Sequence, residues 1–250
     1  MIGIQQQETR TCEIHGEYTS SLIAMRSLTH WSGCDKCAAI RDAERQEEEL
    51  KQRILREINF RIEHSGIPPR FADRTFDNYD AQPGLQSEVL EFSKHYAANF
   101  AEYLKTGTSI MFLGLVGTGK THLAVGILRA VIHGGNTGKY ITVSRIMRDV
   151  KDTFHKHAEL SESEVLERLI KTDLLVIDEI GVHRANEFEA NTLFEVINGR
   201  YEALKPTLLL ANLNLREMRE SVGDRVFDRM RENGGRAFVM DWKSNRGSKS

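Results

Sequence analysis

Gly114-Leu115-Val116-Gly117-Thr118-Gly119-Lys120-Thr121 is the stretch of this chain with the most specific chemistry. Its form, G-x-x-x-x-G-K-T, is that of a phosphate-binding loop. Glycines let the backbone fold inward until successive N–H groups point at phosphate oxygens. Gly114, Gly117, Thr118 and Gly119 supply that cradle. Lys120 can reach the β- and γ-phosphates of a nucleoside triphosphate such as ATP, and the Thr121 hydroxyl can ligate Mg²⁺. Further along, Asp178-Glu179 closes the apolar run Leu174-Leu175-Val176-Ile177. Asp178 would hold Mg²⁺, directly or through water, and Glu179 would act as general base on an attacking water. Asn212, just past a third apolar run, is placed to orient that water or sense the γ-phosphate. An asparagine there is also an ordinary turn residue.

A separate constellation occupies the N-terminus. All 3 cysteines of the chain fall in its first 40 residues, as Cys12 with His15 and Cys34 with Cys37. Two pairs, each with two intervening residues, can give one tetrahedral zinc a Cys₃His set. Gly16 gives the flexibility a tight knuckle needs, and Tyr18, Leu22 and Trp31 could cluster over the metal. His30 competes as a ligand but lacks the paired spacing. An odd cysteine count without an export signal argues for thiolate chemistry rather than a disulfide framework.

The elements that position these groups alternate. Residues 109–113 read as a buried strand entering the loop, and residues 120–133 as the helix leaving it, its positive dipole end on the anion. Residues 139–143 form a second strand, followed by a helix from about 145 toward Phe154 with Ser144 as its cap. Ser161-Glu162-Ser163-Glu164 has the capping-box form and opens a helix to about 171. Residues 174–179 form a strand, 186–200 a helix, 207–211 a fourth strand and 237–240 a fifth. One helix is expected over 86–104, and an irregular lead-in over 71–81. Strands alternating with helices imply an α/β, mainly parallel, doubly wound sheet, whose ligands sit at the carboxyl ends of the strands.

Ahead of this core lies a charged helix, residues 38–64, with Leu50, Ile54, Ile58 and Ile62 recurring every fourth position and Leu55 beside them. Two readings stand open: a solvated helix packing one face on its neighbour, or a partner-binding or coiled-coil helix. Ser65-Gly66-Ile67-Pro68-Pro69 cannot continue it. The expected division is therefore a zinc-binding and helical module over 1–64 and an ATPase domain over 65–250.

The apolar fraction of 40% and net charge of −2 describe an ordinary soluble chain with no global basic field, so any DNA contact must be a local patch. No apolar run nears the roughly 20 residues of a membrane span, and the start lacks a signal peptide. A cytoplasmic location and no membrane partner are expected.

The motifs together resemble a known family. Residues 114–121 with His122-Leu123-Ala124, residues 174–179 with Ile180-Gly181-Val182, Ala211-Asn212-Leu213-Asn214, and Gly223-Asp224-Arg225-Val226-Phe227-Asp228-Arg229-Met230-Arg231 look like the DnaC-type AAA+ helicase loaders, as do Ser65-Gly66-Ile67-Pro68 and Thr75-Phe76-Asp77-Asn78-Tyr79. The resemblance spans about residues 65–246. It implies an AAA+ ATPase that delivers a hexameric replicative helicase to single-stranded DNA and self-associates through its ATPase domain. By it, Asn212 is sensor I, Arg229 the arginine finger with Arg225 and Arg231 as rivals, and Arg246 sensor II. Phe154 and Phe188 would lie where such loaders stack bases, or else are core residues. Only eight residues follow Asp241-Trp242, leaving no room for the helical lid of many AAA+ proteins. The Cys12, His15, Cys34 and Cys37 set departs from the metal-free N-terminal domain of well-known loaders and fits a divergent or phage-borne relative. Close rivals are an IstB-like transposition helper, which binds duplex DNA and a transposase and is resembled over residues 191–201, a P-loop kinase, and an adaptor that binds ATP without needing to hydrolyse it.

Overall fold

The computed structural model describes residues 3–25, 28–156, 158–182 and 186–244. It divides into two compact units, Met1–Glu57 and Ile58–Ser250.

The first unit opens with an antiparallel meander of β1 (Gly3–Cys12), β2 (Gly16–Met25) and β3 (Leu28–Trp31). These strands escape a reading of the sequence for a physical reason. Gln5-Gln6-Gln7-Glu8-Thr9-Arg10 lacks the apolar alternation that marks a half-buried strand, and the β1–β2 ladder itself holds the segment extended. Cys12 faces Gly16 across the hairpin turn, and Gly16 has a φ of 76°, a conformation open to glycine at little cost. After β3, the Ser20 hydroxyl donates to the Ser32 carbonyl at 2.6 Å and the Ser21 N–H to the Ser32 hydroxyl at 2.9 Å. Those bonds lay the chain back over β2 before α1 (Asp35–Glu63) begins. That helix buries none of its side chains: Leu50 is 44% exposed, and Ile54 and Leu55 are similarly open. The N-terminal part of the stripe is therefore exposed among the described residues. Ile62, within the second unit, packs against that unit's core.

The second unit is α/β. It contains α2 (Leu85–Ala98), α3 (Phe100–Thr106), β4 (Ile110–Gly114), α4 (Lys120–His133), β5 (Gly138–Thr142), α5 (Val143–Asp152), α6 (Glu162–Lys171) and β6 (Leu174–Ile180). There follow α7 (Glu187–Glu202), β7 (Thr207–Ala211), α8 (Leu215–Val222), α9 (Asp224–Arg231) and β8 (Arg236–Met240). The five strands are parallel, in the order β5-β6-β7-β4-β8. Unbroken apolar runs are needed because both faces are covered. Ile110, Phe112, Val176, Leu208 and Leu210 face one core layer with α2 and α4, whereas Met111, Leu113, Leu175, Ile177 and Leu209 face the other with α5, α6, α7 and α9.

Three local expectations change. The helix over 86–104 is two helices, broken at Asn99, whose side-chain amide donates to the His95 carbonyl and competes with the helical ladder. The cap after β5 is Thr142, whose hydroxyl accepts from the Arg145 N–H at 3.2 Å, so the helix starts before Ser144. The interval between the fourth and fifth strands holds α8 and α9, the former opened by a capping box of Asn214 and Glu217. The box at Ser161 and Glu164 is present as read.

Arg200 is fully buried and ties the sheet to its helices. Its guanidinium donates to the Thr207 hydroxyl and to the carbonyls of Leu169, Ile170, Thr172, Asp173 and Pro206. A buried charge is tolerable when its donors are satisfied in this way.

Candidate nucleotide site and metal centre

The phosphate-binding loop bridges β4 and α4. Gly114 has a φ of 119° and Gly119 one of 96°. A β-carbon on Gly114 would meet the Met240 carbonyl at 2.3 Å, and one on Gly119 the Tyr79 ring at 2.6 Å. Both positions therefore require glycine for conformation and for space. Lys120 is buried, its ammonium donating to the carbonyls of Gly114 at 2.8 Å and Leu115 at 2.6 Å, so the cation is folded over the loop. The Thr118 hydroxyl donates to the Leu115 carbonyl at 2.9 Å.

Asp178 meets the loop from β6. The Thr121 hydroxyl donates to Asp178 Oδ2 at 3.1 Å, and the Glu179 N–H donates to Asp178 Oδ1 at 2.7 Å. Two adjacent ligands of an octahedral ion with bonds near 2.1 Å lie about 3.0 Å apart, so these hard oxygen donors fit Mg²⁺. Glu179 sits at a register shift between Ile177 and Ile180 with a φ of 64°, a left-handed conformation that costs about 1 kcal/mol or more. Glu179 lines a small cavity together with Ser144, Glu189, Leu193, Phe194 and Ser221, while Asp178 bonds to Thr121 of the loop. Asn212 is exposed and follows β7, the strand between β4 and β6. Ala211 pairs with Leu113, so Asn212 stands level with Gly114.

Three residues to which the sequence reading gave no site role also belong to this site. Tyr79 and Trp242 both donate to the Thr118 carbonyl, at 3.3 Å and 3.0 Å. Tyr140, buried on β5, donates its hydroxyl to Asp178 Oδ2 at 2.5 Å. His122 joins its ring nitrogen to the Thr75 carbonyl at 2.8 Å, and burial pushes its pKa below the usual range.

The arginines of α9 differ in environment. Arg225 and Arg231 are exposed. Arg229 is half-buried, with its guanidinium carbon 5.5 Å from the Phe194 ring and 5.1 Å from the Tyr201 ring of α7. Its Nη1 is buried without a hydrogen-bond partner among the described residues. Arg246 lies outside the described residues. Phe154 is exposed, and its ring meets that of half-buried Phe188 edge-on at 6.2 Å.

In the first unit, Cys12 ends β1, His15 lies in the hairpin turn, buried Cys34 precedes α1, and Cys37 lies in its first turn. Their four ligand atoms lie within 4.8 Å of one another. Cys12 Sγ is 3.5 Å from Cys37 Sγ, and His15 Nδ1 is 3.8, 3.7 and 3.2 Å from the sulfurs of Cys12, Cys34 and Cys37. A tetrahedron with Zn–S bonds near 2.3 Å has edges of about 3.8 Å, so the set fits zinc closely. Backbone N–H groups of Ile14 and His15 pull the Cys12 thiol down to about 6, toward the thiolate that ligation needs. His30, exposed on β3, lies outside the cluster, and the Trp31 ring is covered by the Arg10 guanidinium at 4.5 Å. Among the described residues no helix is long and apolar enough to cross a membrane.

Known proteins resemble this chain. The model of the IstB-like ATP binding protein family matches residues 43–230. The chain is 35% identical over 208 residues to the replicative helicase loader DnaC of Escherichia coli strain K12, covering 83% of this chain and 82% of that protein. Among solved structures, a DnaC helicase loader crystal structure superposes with a TM-score of 0.63 at 22% identity, covering 70% of this chain and 100% of that one. A replication initiator DnaA bound to AMPPCP and single-stranded DNA superposes with a TM-score of 0.58 at 21% identity, covering 71% of this chain and 51% of that one.

Proposed function

The chain belongs to the IstB-like ATP-binding protein family, alongside the DnaC-type helicase loaders, and from that membership we propose that it is an ATP-switched loader delivering a hexameric replicative DNA helicase onto single-stranded DNA. It is an ATPase of the AAA+ type. The observation that carries the loader reading is the 35% identity to a replicative helicase loader over four-fifths of both chains.

The residues divide the work as follows. Gly114, Gly117, Thr118 and Gly119 aim backbone donors at the phosphates, and Lys120 leaves the loop carbonyls to pair with the β- and γ-oxygens. Thr121 and Asp178 would hold Mg²⁺, which supplies neutralisation of charge across those phosphates when bound. Glu179 accepts the proton of the attacking water, and Asn212 orients that water. Arg229 acts on the neighbouring subunit's γ-phosphate, where its unsatisfied Nη1 finds an acceptor. Arg246 takes the sensor II position. Phe154, with Phe188 beneath it, offers an exposed ring for stacking a base of single-stranded DNA. The zinc module and α1, residues 1–64, dock the helicase, and the exposed Leu50, Ile54 and Leu55 supply apolar contact area.

The test is transfer of a DnaB-type hexamer onto circular single-stranded DNA, which offers no end to thread. Loading that requires ATP and this protein is expected. Failure to bind a helicase, with preference for duplex DNA and a transposase, would instead favour an IstB-like transposition helper.

A further inference from the structure

We propose that Tyr140 is a positioning residue of the magnesium site: its hydroxyl holds the Asp178 carboxylate in line with Thr121, so that the metal meets a ligand already in place. The proposal rests on the reading of Thr121 and Asp178 as the magnesium-holding pair.

Among the described residues, Asp178 receives three protein hydrogen bonds. Oδ1 accepts the Glu179 N–H at 2.7 Å, while Oδ2 accepts the Thr121 hydroxyl at 3.1 Å and the Tyr140 hydroxyl at 2.5 Å. Of these donors, Thr121 is the one whose oxygen would itself turn to the metal. Tyr140 and the Glu179 N–H then remain to fix the carboxylate on its two sides.

The architecture brings Tyr140 there by register. Tyr140 pairs with Val176 and Thr142 with Asp178, so Tyr140 and Asp178 are diagonal neighbours on one face of the sheet. An aromatic side chain is long enough to span that diagonal. The backbone of Tyr140 is pinned as well. Its N–H donates to the Ser65 carbonyl at 2.6 Å, and a β-carbon on Gly66 would strike the Tyr140 carbonyl at 2.4 Å. The chain leading into the domain therefore locks the outer edge of β5 at this residue. An unneeded hydroxyl in this core would cost free energy to bury, whereas this one is spent on the carboxylate.

Tyr140→Phe tests the assignment, because it removes the hydroxyl and keeps the buried ring. Affinity for a fluorescent ATP analogue is measured in EDTA and across a Mg²⁺ titration, with thermal melting of each protein. Groups that orient metal ligands typically contribute 10- to 100-fold to metal affinity. The Mg²⁺ concentration giving half of the affinity gain should rise about tenfold, with metal-free binding and melting near wild type. In an Asp178→Asn background, Tyr140→Phe should add little, since the two act through one carboxylate. An unchanged Mg²⁺ dependence, a parallel loss of metal-free binding, or additive effects in the double variant would each overturn the proposal. If wild-type binding shows no Mg²⁺ enhancement at all, the pair itself has been misassigned and the proposal goes with it.

Discussion

Tyr79 and Trp242 meet at a single acceptor, the Thr118 carbonyl in the middle of the phosphate-binding loop. One donor comes from the lead-in before the sheet and the other from beyond its last strand, so opposite ends of the domain fix one peptide unit. Fixing it matters because a cradle of N–H groups binds phosphate only when they already converge. Trp242→Phe should keep an aromatic side chain and lose the indole N–H bond, worth about 1 kcal/mol. ATP affinity is expected to fall about fivefold with little change in melting temperature. With Trp31→Phe as background, Trp242 is the sole tryptophan, and its fluorescence should respond to nucleotide. Unaltered affinity in a folded variant would remove Trp242 from the loop's support.

Lys120→Ala and Glu179→Gln should fail at different steps. The first removes the cation that the β- and γ-phosphates require and should abolish tight ATP binding. The second leaves Asp178 and the loop intact, so ATP still binds, while loss of the general base should slow hydrolysis by about 10²–10⁴-fold. Phosphate release measured beside equilibrium binding separates the two. Turnover near wild type in Glu179→Gln would show that this carboxylate is not the base.

What could be read from the sequence was what the chain encodes contiguously. The loop, the acids after β6 and the paired cysteines each fit within a few residues, and the apolar runs mark strands whose two faces are both covered. Contributions assembled across the fold were hidden. Tyr140 lies 38 positions from Asp178, Tyr79 lies 39 from Thr118, and Trp242 lies 124 from Thr118. No local pattern announces such bonds. Arg200 was read only as a helix residue, because its partners are mostly backbone carbonyls from two other stretches, 169–173 and Pro206, which have no sequence signature. The polar strand β1 was missed because pairing, not apolar alternation, holds it.

Arg229 rests against Phe194 and Tyr201 of its own subunit, at an energy of about 0.5–1 kcal/mol for a partly exposed cation–π contact. That is small enough for a neighbour's phosphate to draw it away. Arg229→Ala should therefore leave ATP affinity of the isolated subunit within about twofold yet suppress hydrolysis in the assembly by about 10³-fold, the range for arginine fingers. Mixing it with Lys120→Ala should restore part of the activity, because some interfaces then join an intact arginine to an intact loop. The measurement is ATP turnover against mixing ratio; normal assembly with no recovery would rule out action in trans.

Zinc removal should separate the two units. One zinc per chain is expected on Cys12, His15, Cys34 and Cys37, whose ligand atoms already lie within 4.8 Å. The meander it closes is short, and below about 40 residues a metal commonly replaces the missing core. Chelation should unfold that unit at a concentration that leaves the parallel sheet, with its two buried layers, melting as before. Cys34→Ser removes the most buried of the four ligands and should abolish helicase binding while sparing ATP binding. Metal analysis of the purified protein and a pull-down with the helicase check both halves. A protein without zinc, or one that still captures the helicase once residues 1–64 are deleted, would sink the assignment of the metal module as the docking part.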